Sequence, residues 1–112
     1  MTPDDKDRLY AEHMLECIAR VRAYTQDGKA VFLASTLIQD AVLRNLQIMA
    51  ESSQRLSDSR KTAFPHINWR GMSGFRNVVV HDYLGVDAEL IWAVVEQELP
   101  ALENALQAML GQ

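Results

Sequence analysis

Tyr10, Met14, Cys17, Val21 and Tyr24 fall at spacings of four, three, four and three, so they line one stripe of a helix from about Asp4 to Thr25. A long helix with one apolar seam must bury that seam against other elements. The pattern breaks at Gln26 to Lys29, where Gly28 is placed to stop the helix. A second stripe follows: Ile38, Val42, Leu46 and Met49 recur at helical spacing to about Leu56, and Thr36 with Gln39 has the spacing of a capping box at its start. Between the two, Ala30 to Ser35 fits either a separate turn or part of a longer helix. A third stripe, Ile91, Val95, Leu99, Leu102, Leu106 and Met109, is announced by Asp87 as an N-cap and interrupted by Pro100, which predicts a kink or a break into two helices. Residues 57–70 mix Ser, Asp, Asn and Pro65 without sustained period and read as a connecting loop. Three helical signals and no alternating strand pairs predict an all-α bundle of four to five helices.

At 112 residues the chain has the usual size of one domain, spanning 1–112, and 48% hydrophobic with 23% charged residues is the balance of a soluble globular protein. The acidic, polar start MTPDDKD has no basic or apolar signal character, and the longest apolar run, Leu90 to Val95, is far short of the roughly 18 residues that suggest a membrane span. Cys17 has no partner for an internal disulfide. A reduced thiol in a cytoplasmic protein is the simplest expectation.

A net charge of −4 argues against bulk electrostatic coating of nucleic acid, but the charge is unevenly placed. Residues 1–58 carry −2 and residues 82–112 carry −6, whereas residues 59–81 hold Arg60, Lys61, Arg70 and Arg76 with no acid. Within and just beyond that cationic stretch lies FRNVVVHDYLG, residues 75–85, with Arg76, Asn77, His81 and Tyr83 set around three valines. A lone strand in a helical bundle would leave its backbone groups unpaired. The spacing therefore predicts a short helix from about Trp69 to Tyr83, despite the β preference of Val78 to Val80. On it Asn77 and His81 share a face and Arg76 lies in the adjacent row.

An arginine beside a histidine suits phosphate chemistry: guanidinium holds phosphate oxygens in a fixed fork, and imidazole exchanges protons near neutral pH. In metal-free RNA cleavage a base activates the ribose 2′-hydroxyl, a cation stabilises charge on phosphorus and an acid helps the 5′-oxygen leave. His81 and Arg76 offer two of these functions, Asn77 an orienting hydrogen bond and Tyr83 a hydroxyl for phosphate or proton transfer. The competing structural explanation pairs Arg76 with a nearby acid, caps a helix with His81 and fills a core gap with Tyr83.

Other signals carry less. His13 and Cys17, four apart beside Glu12 and Glu16, supply two metal-ligand types, but two ligands do not make a site and no metal is expected. Gly71 and Gly74 have the G-x-x-G spacing of some RNA-binding loops, whose domains include a sheet; close packing or a turn explains them better. No phosphate-binding loop, dinucleotide fingerprint or nucleophile elbow occurs, so no cofactor is expected. Arg44 and Asn45 in the second helix, read as solvated positions, and Glu51 have no settled relation to a cleft.

The stretch GMSGFRNVVVHDYLGVD, with QDAVLRNLQIMAESSQRL in the second helix and FPHINWR between them, resembles the HepT-like branch of the HEPN superfamily over nearly the whole chain. The motif of that branch, Arg-x4-His-x-Tyr, is met without a gap by Arg76, His81 and Tyr83, with Asn77 as the polar residue after the arginine. Leu84 stands where related sequences often carry an aromatic residue. The resemblance implies an all-helical homodimer with the arginines and histidines of both subunits in one cleft. It implies a metal-independent ribonuclease acting as the toxin of a toxin–antitoxin pair, its RNA target, tRNA or mRNA, being left open by the sequence. It further implies neutralisation by an MntA-like nucleotidyltransferase that transfers AMP to Tyr83. A catalytically silent HEPN subunit that binds nucleotide or a nucleotidyltransferase is the alternative.

Overall fold

The computed structural model describes residues 2–72 and 87–111, and the motif segment falls outside them. Helix α1 spans Pro3–Tyr24 and begins with a full capping box: Thr2 Oγ1 accepts from the Asp5 amide at 3.2 Å, and the Asp5 carboxylate accepts from the Thr2 amide at 3.2 Å. Hydrogen bonds from the Thr2 side chain and backbone hold the Asp5 carboxyl below its ordinary pKa. The buried seam of α1 is Asp7, Ala11, Met14, Cys17, Ile18 and Val21. The expected stripe is therefore rotated slightly: Met14, Cys17 and Val21 are buried, while Tyr10 is only half-buried and Tyr24 is exposed.

The helix ends at Thr25, whose hydroxyl donates to the Val21 carbonyl at 2.8 Å. Gly28 starts the next element rather than closing the first. Its φ of 94° is open to glycine at little cost, and it turns the chain into α2, Lys29–Ala34. Ser35, with extended backbone, separates α2 from α3, Thr36–Gln54, which decides the ambiguity at Ala30 to Ser35 in favour of a separate short helix.

The cap of α3 corrects the expected box by one residue. Ser35 Oγ accepts from the Ile38 amide at 3.2 Å, and Gln39 instead donates to the Phe32 and Leu33 carbonyls at 3.0 and 3.2 Å. Gln39 thereby caps the end of α2, serving the Leu33 carbonyl and adding to the bond that the Phe32 carbonyl accepts from the Ser35 amide.

The 57–70 stretch, expected as loop, contains a short helix α4, Asp58–Thr62, capped by Ser57 Oγ on the Arg60 amide at 3.3 Å. A further helix, α5, begins at Trp69, as the sequence predicts, and is described through residue 72. Beyond the segment, Asp87 Oδ1 accepts from the Leu90 amide at 3.2 Å and opens α6, Ala88–Gln97. A break at Glu98 then leads into α7, Leu99–Met109, with Pro100 in its first turn, where a missing N–H costs no helical bond. Among the described residues there is no strand, and the all-α bundle is the one expected; α2 and α4 are short additions to its longer helices.

Helix α1 packs on α3 and α7, α6 packs on α7 and α2, and α2 also packs on α3. The shared core joins Met14, Ile18 and Val21 to Val42 and Leu46 of α3, Phe32 of α2, Ile91 of α6 and Leu99 and Leu106 of α7. Burying side chains of this size stabilises the fold by about 1.5–3 kcal/mol each. Phe32 is tilted against Trp92 with ring centroids 5.4 Å apart, which fixes α2 on α6. Exposed pairs, Arg22 with Glu103 at 3.0 Å and Lys29 with Glu89 at 2.9 Å, join α1 to α7 and α2 to α6. Such pairs contribute little to stability, although the Glu89 carboxylate raises the Lys29 pKa. Among the described residues no helix is long and apolar enough to cross a membrane.

Candidate functional site

Arg76, Asn77, His81 and Tyr83 lie outside the described residues, as does Leu84. What the structure shows is how the chain enters and leaves that segment. On the entry side, Trp69 Nε1 donates to two carbonyls, Lys61 at 3.1 Å and Phe64 at 3.2 Å, and so closes the turn that follows α4. Asn68 is the N-cap of α5: its Oδ1 accepts from the Gly71 amide at 2.8 Å. A Cβ at Gly71 would run into the end of the Asn68 side chain, which would have to shift from its capping position. The close-packing reading thus applies to Gly71, while Gly74 is outside the described residues. On the exit side the chain resumes at the Asp87 cap of α6.

Beside the entry lies a cavity of about 190 Å³. Leu46 and Met49 of α3, Ile67 and Met72 flanking the α5 cap, and Leu99 and Leu102 of α7 contribute apolar walls, and His66, Asn68 and Glu98 add polar groups. Little in the residue pattern announces this cavity. Its walls come from three separated stretches, two of which read as ordinary helix seams and the third as part of a connecting loop.

The other residues raised by the sequence are placed plainly. Arg44 is exposed and donates to Gln47 Oε1 at 3.4 Å, consistent with a solvated position. Asn45 corrects that expectation, being 7% exposed; its Nδ2 donates to the Ala41 carbonyl at 2.9 Å, and its Oδ1 is buried without a partner among the described residues. The reason is its position on α3 between Val42 and Met49, on the side that faces the core. Glu51 is exposed.

His13 and Cys17 do not share a site. Cys17 is wholly buried and burial pushes its thiol pKa up, whereas the exposed His13 lies with Nδ1 at 3.3 Å from Ser52 Oγ. Among the described residues no three His, Cys, Asp or Glu side chains gather as a metal site.

The cationic stretch is also less uniform than its sequence suggests. Arg60 contacts Asp4 at 3.2 Å and the buried Asp7 at 3.6 Å, so its charge is compensated. Lys61 and Arg70 have no ion pair among the described residues.

The model of the ribonuclease HepT-like family matches residues 14–109, which include all four motif residues. The chain belongs to that family. It is 32% identical over 93% of its length to a Methanocaldococcus jannaschii protein whose name provisionally assigns it RNase activity, covering 94% of that protein. A Thermococcus cleftensis protein named probable ribonuclease HepT is 31% identical over 89% of the chain and 92% of its own length. A second M. jannaschii protein, named for γ-glutamylcyclotransferase and provisional RNase functions, is 32% identical over 88% of the chain, which spans only 45% of that longer relative. No solved structure matches the chain.

Proposed function

We propose that this HepT-like chain is a metal-independent endoribonuclease, the toxin of a toxin–antitoxin pair, acting as a cytoplasmic homodimer. The observation that carries the reading is the unbroken Arg76-x4-His81-x-Tyr83 motif inside the span matched by the ribonuclease family model. His81 takes the proton of a ribose 2′-hydroxyl, the 2′-oxygen attacks phosphorus, and the P–O5′ bond breaks with the proton returned to the leaving oxygen. Arg76 holds the phosphate oxygens as negative charge develops on them. Asn77 orients the imidazole, and Tyr83 lines the cleft and accepts AMP from an MntA-like nucleotidyltransferase that silences the enzyme. No step calls for a metal or cofactor. The RNA substrate is tRNA or mRNA. The homologues named for RNase functions, two of them similar over more than nine-tenths of their length, support the ribonuclease class.

The test is incubation of the purified dimer with total cellular RNA in the presence of chelator, beside His81→Ala. Cleavage by the parent alone, with the variant still a folded dimer, is the expected result. If neither protein cleaves, and mass spectrometry shows no AMP on Tyr83, the chain is instead a silent HEPN subunit that serves as a docking partner or substrate of the nucleotidyltransferase. Transfer of AMP at an unchanged level to Tyr83→Phe would remove Tyr83 from the proposal.

A further inference from the structure

The stretch KTAFPHINWR, residues 61–70, sets a lysine and an arginine at the two ends of a run that holds Phe64, His66 and Trp69 and no acid. The fold closes that run into a turn. Trp69 Nε1 donates to the Lys61 carbonyl at 3.1 Å and to the Phe64 carbonyl at 3.2 Å, which ties the last turn of α4 to the first turn of α5. Lys61 and Arg70 therefore stand on the two limbs of one closed turn, and neither has an ion pair among the described residues. Two acids border it: Asp58, three residues before Lys61 on α4, and Glu98, which lines a cavity with His66. Neither makes an ion pair with Lys61, His66 or Arg70.

The rings of the turn divide by burial. Phe64 and Trp69 are half-buried against the core, whereas His66 is exposed. Phe64 meets the His66 ring edge-on, with centroids 6.3 Å apart and planes at 61°, and Pro65 restricts the backbone between them. His66 makes no hydrogen bond or ion pair among the described residues, so a ring contact positions it and leaves it open to a further ring. Phe64 and Trp69 serve the packing of the turn, but Lys61, His66 and Arg70 belong to no part of the core. Single-stranded RNA is held by this pairing of groups, aromatic faces under unpaired bases and cations along the phosphates.

Resting on the ribonuclease reading, we propose that the closed turn 61–70 is a docking surface for single-stranded RNA, with an unpaired base stacked on His66 and phosphates held by Lys61 and Arg70. Every base has a π-face, so the surface supplies affinity for unpaired RNA rather than a choice of base. The two cations supply it in a chain whose net charge of −4 otherwise opposes the partner.

The experiment titrates the ¹⁵N-labelled full chain with a short 2′-O-methylated oligouridylate, single-stranded or annealed to its complement. The methylated 2′-oxygen cannot act as a nucleophile, so binding is read without turnover. The single strand is expected to shift the indole N–H of Trp69 but not that of Trp92, which packs against Phe32 of α2. His66→Ala, a change at an exposed side chain, should weaken single-strand binding about fivefold or more with the salt dependence unchanged, since a lost stack releases no counterion. His66→Phe should restore it, because a ring face is what the base requires. Lys61→Gln should flatten the slope of log K against log salt by about 0.7. The duplex, whose bases are paired, should bind the parent and His66→Ala alike. A His66→Ala protein that binds the single strand as the parent does, or a His66→Phe protein as weak as the alanine variant, overturns the docking surface. Cleavage of cellular RNA by a parent whose RNA binding is indifferent to all three variants would sink the surface and leave the ribonuclease standing. Binding that depends on His66 and Lys61, in a protein that cleaves no RNA, would do the reverse.

Discussion

Asp7 shows what a single carboxylate does when buried with its partners. It is 6% exposed and accepts from both the amide and the hydroxyl of Ser57, at 2.9 and 2.6 Å, with Arg60 alongside. These contacts tie the first turns of α1 to the start of α4, fifty residues later in the chain, and hydrogen bonds to a charged group are worth about 1.5–3 kcal/mol each. Asp7→Ala leaves the Ser57 donors unpaired and Arg60 half-compensated, so urea unfolding should show a loss of about 2–4 kcal/mol. Cys17 gives a second expectation at this scale. Burial raises its thiol pKa in the folded state, so at alkaline pH the unfolded chain loses the proton first and binds fewer protons than the native one. Its contribution to stability is therefore complete below a pH of 9.0, the ordinary thiol value, and falls as pH rises beyond it, at no more than about 1.4 kcal/mol per pH unit. Comparison of the parent with Cys17→Ala across that range should show the parent's excess alkaline loss and its disappearance in the variant.

At the scale of elements, the start of α5 is the part of the fold that delivers the chain to its motif, and it depends on an absent side chain. Gly71→Ala would drive a methyl into the Asn68 amide, forcing that cap away from the Gly71 amide it now serves. Loss of an Asn cap costs about 1 kcal/mol, and hydrogen exchange should show faster exchange at residue 71 with α3 and α7 unchanged. The long helices were legible because a seam of Met14, Val21, Leu46, Leu102 and Leu106 imposes a helical period that the core then uses. Short elements were not legible for the same reason inverted. Five residues of α4 complete little more than one turn, too few for a period, and the Ser57 that caps it is itself held by the distant Asp7. Adjacent hydroxyls at Ser35 and Thr36 cannot be ranked by spacing; the extended backbone at Ser35 and the use of Gln39 on α2 decide between them. In the candidate site, the cationic stretch and the start of α5 could be read from sequence, but the cavity could not, since Met49, Met72 and Leu102 become neighbours only through packing.

Over the whole molecule, the net charge of −4 sets a condition on any RNA partner: binding must draw on local cations against an unfavourable overall field. The sequence concentrates four cations in 59–81, yet the folded chain does not make them equivalent. Arg60 is committed to Asp4 and Asp7 on the α1 side, whereas Arg70 is exposed in the first turn of α5 and has no acid partner among the described residues. A phosphate contacted by Arg70 releases counterions, and for single strands each such contact contributes about −0.7 to the slope of log K against log salt. Arg70→Gln should therefore weaken binding of a 2′-O-methylated RNA and flatten that slope by about 0.7. Arg60→Gln should lower unfolding stability while leaving the slope unchanged, because its charge is already spent within the fold. A flattened slope in Arg60→Gln, with none in Arg70→Gln, would place the RNA on the α1–α4 side of the bundle and away from the entry to the motif.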